Sequence, residues 1–113
     1  MEGKATMRLE AARQALIDLK EEISRRLKAI NDDLSARPDS DVEDRATQLE
    51  NEEVLVAMRD EGTAQIVAID AALARIELGV FGKCVNCLEP IASHRLATLP
   101  YTPFCARCAR MIN

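Results

Sequence analysis

The chain has 113 residues and a formal net charge of −4, enough length for one domain or for one extended element with a small module. The acidic balance argues against a protein whose main work is gripping phosphate backbones, a task that rests on a basic surface, while leaving room for a local basic patch. The only aromatic side chains are Phe81, Tyr101 and Phe104, so the first 78 residues cannot fill a thick core and suit the thin seam between two helices.

The N-terminal stretch MEGKATMRLEAARQALIDLKEE carries a charge every few residues and lacks the apolar core of a signal peptide. No apolar run approaches the roughly 18 residues of a membrane span. The expected location is the cytoplasm, where thiols stay reduced and clustered cysteines bind metal more often than they form disulfides.

From Leu9 the apolar positions run Ala12, Leu16, Leu19, Ile23, Leu27, Ile30 and Leu34. Apart from one slip near Arg26 the steps alternate between three and four, the period of a coiled coil. Pro38 forbids continuation and pushes the residue before it out of helical geometry, so the first helix should end near Leu34 to Ala36.

The connection RPDSDVEDRA holds Asp39, Asp41, Glu43 and Asp44. Ser40 and Glu43 have the spacing of a capping box, and acids in a first turn interact favourably with the helix dipole, each by about 0.3 to 1 kcal/mol. On this ground alone the acids read as a solvated cap before they read as a working tip.

The second helix continues through Val42, Ala46, Leu49, Leu55, Met58, Ile66, Ile69, Leu73 and Ile76, with Gly79 placed to be its C′ residue. At about 1.5 Å per residue each helix is roughly 40 to 55 Å long, and the short connection makes them antiparallel neighbours. Gly62 falls where the seam wants an apolar residue, at a cost of about 1 kcal/mol relative to alanine. Close approach of the helices, a tolerated weak spot and a flex point all remain open for it.

After Gly79 the periodicity stops. Cys84, Cys87, Cys105 and Cys108 form two C-x2-C pairs, a spacing that closes a tetrahedron of thiolates around zinc. With all four positions filled by protein, such a site is structural and leaves no place for a catalytic water. Too few large apolar residues surround it to fold alone, whereas structural zinc contributes about 10 to 16 kcal/mol at neutral pH. Two disulfides or redox-active pairs are the competing reading. His94 is expected in a loop, outside the ligand set, and any terminal helix after Cys108 must be short.

The fold class is therefore mainly α: a long antiparallel helical hairpin with an acidic tip, plus a small four-cysteine zinc-finger module and a short C-terminal helix. The hairpin is assigned to residues 1–78, with its tip at about 36–46, and the module to 79–113.

With D-V-E-D-R-A at the tip, GVFGKC leading into the cysteines, EPI around Glu89 and RLATLP around Arg95, the chain resembles the DksA/TraR zinc-finger family of bacterial transcription regulators. The tip is similar to that family's D-x-x-D-x-A motif on Asp41, Asp44 and Ala46. The resemblance implies a hairpin that enters the secondary channel of RNA polymerase and changes the lifetime of open promoter complexes, with no sequence-specific binding to DNA. Asp41, Asp44 and Ala46 are then tip contacts, Asp44 the foremost.

The same resemblance implies action with guanosine tetraphosphate in the stringent response, but this chain departs from the pattern. Glu61 and Ala68 stand at helix positions where nucleotide-using members carry basic residues, and Ala109 where a lysine is common. A phosphate-rich nucleotide gains from Arg or Lys and is repelled by Glu, so the expected alarmone response is weak or differently built.

Three other classes compete. A Gre-like transcript-cleavage factor also uses an acidic hairpin but lacks a four-cysteine finger. A zinc-ribbon nucleic-acid binder would rely on Lys83, Arg95, Arg107 and Arg110, with Tyr101 and Phe104 as stacking surfaces. A coiled-coil oligomer is the third, although the proline turn favours intramolecular pairing and a monomer. The single histidine and the metal-committed cysteines supply no nucleophile with its base, so no enzyme activity is expected.

Overall fold

The computed structural model describes residues 2–35 and 42–112, with side-chain environments for 8–35 and 49–112. Four helices follow in order: α1 (Glu2–Ser35), α2 (Val42–Glu77), α3 (Ser93–Thr98) and α4 (Ala106–Ile112). The first two form a rod, and the molecule measures 65 × 30 × 21 Å along its principal axes.

Antiparallel register follows from the crossings. Arg13 Nη2 meets Glu77 Oε1 at 2.9 Å and Lys20 Nζ meets Asp70 Oδ1 at 2.8 Å, while Leu27 lies against Gly62. Steps of seven residues along α1 are answered by seven and then eight along α2, the spacing of the heptad seam. Both ion pairs are solvent-exposed, where such pairs contribute about 0 to 1 kcal/mol. They report the register more than they hold it.

The holding is done by Leu16, Ile23, Ile69, Ala72 and Ile76, all buried, with Ala12, Leu19, Leu27, Ile66 and Leu73 packed around them. Ile30 is also buried. Toward the tip the seam opens: Met58 is 44% and Leu49 55% exposed, although periodicity places both on the inner face. Extending the register puts Leu49 opposite residues beyond Ser35, which lie outside the described ones.

Gly62 is resolved in favour of close approach. A methyl group there would come within 2.8 Å of Leu27 Cδ2 and 3.3 Å of its Cγ, with Ile23 Cγ2 at 3.5 Å. The adjoining notch, bounded by Ile30 and Met58 among others, holds only about 80 Å³, too little for a nucleotide.

At the other end Gly79 ends α2 with φ +76°. Its N–H donates to Ile76 O at 3.1 Å and that of Val80 to Arg75 O at 3.0 Å, the paired bonds of a Schellman motif with Gly79 at C′. The expected Ser40 to Glu43 capping box lies outside the described side chains.

The module is joined to the rod by its aromatics. Phe81 and Tyr101 pack against the buried cluster of the hairpin, and Arg75 Nη2 donates to Tyr101 O at 3.5 Å. Burial lowers the proton affinity of the Arg75 guanidinium. His94, expected in a loop, instead sits on α3, where it is exposed; the helix is a single short turn region that hydrophobic periodicity cannot announce.

Candidate metal centre and rod tip

Two turns build the metal centre. Gly82, at φ +89°, opens the first; Cys84 N then donates to Glu89 O and Ile91 N to Gly82 O, each at 2.8 Å. Between them Leu88 N returns to Cys84 O at 2.9 Å, with Leu88 itself at φ +66°. This reversal folds Cys87 back beside Cys84. The second pair spans the start of α4, where Ala109 N donates to Cys105 O at 2.9 Å. Val85 N to Pro103 O, 2.9 Å, ties one turn to the other.

As a result the sulfurs of Cys84, Cys87, Cys105 and Cys108 all lie within 4.8 Å of one another. Zinc at about 2.3 Å from each of four thiolates requires sulfur separations of about 3.8 Å; Cys87 and Cys105 are already 3.8 Å apart. Cys84 and Cys108 are buried and form a small cluster with Ile91, flanked by Leu96 and Phe104. The site therefore fits one structural zinc ion, bound by four protein ligands in a closed shell.

The protein groups around the sulfurs prepare them unequally. Burial opposes ionisation of Cys84, but backbone groups of Cys105, Cys87 and Asn86 outweigh it and bring the thiol down to about 6. The Cys108 backbone N–H, 3.4 Å from Cys105 Sγ, lowers the Cys105 thiol too. For Cys108 the Asn86 amide favours the thiolate, yet burial and the neighbouring sulfurs prevail and push it up to about 11. Bound zinc supplies the missing positive charge, because a coordinating thiol is deprotonated outright.

His94 is not part of this cluster. Of the four basic residues near the finger, Arg95 is engaged within the chain, its Nε donating to Phe104 O at 3.0 Å; hydrogen bonding to Cys87 and the charge of that sulfur raise the proton affinity of the exposed Arg107. Tyr101 and Phe104, the stacking surfaces a nucleic-acid reading would need, are packed against the rod and the cysteine cluster respectively. Arg95 could not have been read as a brace from spacing, since its partner is a backbone carbonyl supplied by a later loop.

Asp44 and Ala46 lie near the start of α2, at the opposite end of that helix from the metal centre; Asp41 lies outside the described residues, as do the side chains of the other two. Glu61 is exposed on α2, Ala68 half-buried, and Ala109 half-buried on α4. Among the described residues no helix is long and apolar enough to cross a membrane.

A helical hairpin carrying a four-cysteine zinc finger at its base is the class that this architecture defines. Residues 13–76 match the DnaK suppressor protein-like N-terminal domain, and residues 79–110 match the prokaryotic dksA/traR C4-type zinc finger. The chain belongs to the DksA/TraR family.

The solution structure of DnaK suppressor protein from Agrobacterium tumefaciens C58 is similar at 44% identity and a TM-score of 0.62, covering 90% of this chain and 91% of that one. Transcription factor DksA2 from Pseudomonas aeruginosa shares the fold, with a TM-score of 0.76 at 21% identity over 91% of this chain and 81% of that one. An uncharacterized protein of Aquifex aeolicus is 37% identical over 73 residues, 65% of this chain. That match spans only half the length of the Aquifex protein.

Proposed function

We propose that this chain is a transcription regulator of the DksA type, acting as a cytoplasmic monomer on bacterial RNA polymerase. The rod, residues 1–78, enters the secondary channel and brings Asp41, Asp44 and Ala46 near the active-site elements. The module, residues 79–113, anchors the base. Binding there alters open-complex stability and initiation without contact to specific DNA sequences.

The observation that carries this reading is the order of parts. Both family models match in sequence, and the tip motif is separated from the zinc centre by α2, whose 36 residues amount to about 54 Å of helix at 1.5 Å per residue. A rod of that length delivers a small acidic tip to a site its base cannot reach. The zinc-ribbon alternative is disfavoured by the internal engagement of Arg95, Tyr101 and Phe104.

The deciding experiment is purified transcription from a stable-RNA promoter with wild type and Asp44→Asn, polymerase binding being followed in parallel. Inhibition by wild type, with Asp44→Asn bound but inactive, supports a working tip. Equal behaviour of the two proteins moves the activity to the helices or the finger. Adding guanosine tetraphosphate should change the wild-type effect little, because Glu61, Ala68 and Ala109 offer its phosphates no cation. RNA hydrolysis in a stalled complex would instead mark a Gre-like cleavage factor.

A further inference from the structure

The two cysteine motifs are usually considered as two pairs of ligands, but a side chain also crosses between them. Asn86, the third residue of C-V-N-C, turns its amide toward the opposite motif, and Nδ2 donates to Cys108 Sγ at 3.4 Å across 22 residues of sequence.

Four thiolates carry more negative charge than one divalent cation cancels, and hydrogen-bond donors around the sulfurs must disperse the remainder. Cys105 receives the Cys108 backbone N–H at 3.4 Å. Cys108 is nearly inaccessible, 2% exposed, and its donor is the side chain of Asn86. Backbone donors survive any substitution that leaves the fold intact, whereas this one is removable by a single change.

We propose that Asn86 is a positioning residue for the metal centre: its amide stabilises the Cys108 thiolate, fixes that sulfur at its corner of the tetrahedron and couples the first cysteine motif to the second. Retention of zinc depends on this bond, although Asn86 is not a ligand. The assignment concerns the module and is independent of what the rod binds.

The test uses the full chain carrying Asn86→Ala, with Val85→Ala as the control. Val85 belongs to the same turn, its side chain is half exposed, and its structural bond to Pro103 O is made by backbone. Zinc affinity is measured by competition with a chromogenic chelator, and cobalt(II) replaces zinc to report the sulfur-to-metal charge-transfer band. Asn86→Ala should still take up one metal ion but bind zinc about 10- to 100-fold more weakly. Its charge-transfer band should move to longer wavelength, because a thiolate without its donor gives up electron density more readily. Val85→Ala should match wild type in both.

Complete failure of Asn86→Ala to hold zinc, beside normal loading of Val85→Ala, would support the same role. Wild-type affinity and an unshifted band in Asn86→Ala would overturn it. So would equal weakening in the two variants, which would trace the effect to packing of the turn.

Discussion

The rod and the module solve the same problem by different physics. In the rod, two long helices bury a single row of side chains, Leu16, Ile23, Ile69, Ala72 and Ile76, and stability is distributed along the seam. In the module the buried cluster is small and consists largely of the ligands themselves. Its order is concentrated at one point, the four sulfurs. A distributed seam degrades by increments when one residue is changed, whereas a metal-centred fold is lost when its centre is lost.

Removing zinc should therefore have the largest effect. Chelation withdraws a contribution of about 10 to 16 kcal/mol at neutral pH, and Cys84→Ser, which leaves three thiolates, withdraws part of it. Backbone order should disappear from residue 79 onward, seen as loss of amide dispersion in NMR spectra. Most of the far-ultraviolet helical signal should survive, since α1 and α2 contain 34 and 36 residues. Simultaneous melting of rod and module would show that the Phe81 and Tyr101 contacts make them one cooperative unit.

Within the rod, Ile69→Ala opens a cavity at a fully buried position and should cost about 2 to 5 kcal/mol in denaturant unfolding. Zinc stoichiometry should not change. The same substitution at Val67, which is 65% exposed, should shift stability by no more than about 0.5 kcal/mol.

Gly62 offers a finer probe. Gly62→Leu overfills the approach to Leu27 and should destabilise by about 1 to 3 kcal/mol. Gly62→Ala should be nearly neutral, because the gain of about 1 kcal/mol in helix propensity is offset by displacing Leu27, whose Cδ2 would be only 2.8 Å away. A clear rise in melting temperature for Gly62→Ala would show that Leu27 moves aside freely.

Smallest of all is the pair of exposed ion bridges. A double-mutant cycle on Lys20 and Asp70 should give a coupling of about 0 to 1 kcal/mol, falling with added salt. A larger, salt-insensitive coupling would mean that this bridge helps to set the register.

The hairpin was legible because its signal is periodic. Leu16, Ile23, Ile30, Ile69 and Ile76 are apolar at the intervals that bring them to one helix face, and all are buried. Gly79 could be read as a stop for the same reason: its conformational freedom meets a local requirement of the helix end. The cysteines were legible as a metal site because ligand spacing is dictated by coordination chemistry, and the structure brings all four together. The helix around His94 and the brace from Arg95 to Phe104 O were not, since a short irregular module has no period to read.

What the sequence determined by itself was thus the helical period, the end of the first helix near Ser35, the stop at Gly79 and the identity of the four metal ligands. These are local properties, each set by a few neighbouring residues and by the covalent geometry of the chain. Tertiary structure alone decided that the seam opens at Leu49, that Gly62 admits Leu27, that Phe81 and Tyr101 join the module to the rod, and that Asn86 reaches Cys108. Each of these depends on which distant segment lies opposite, and that is settled only when the antiparallel register and the two metal-binding turns form together.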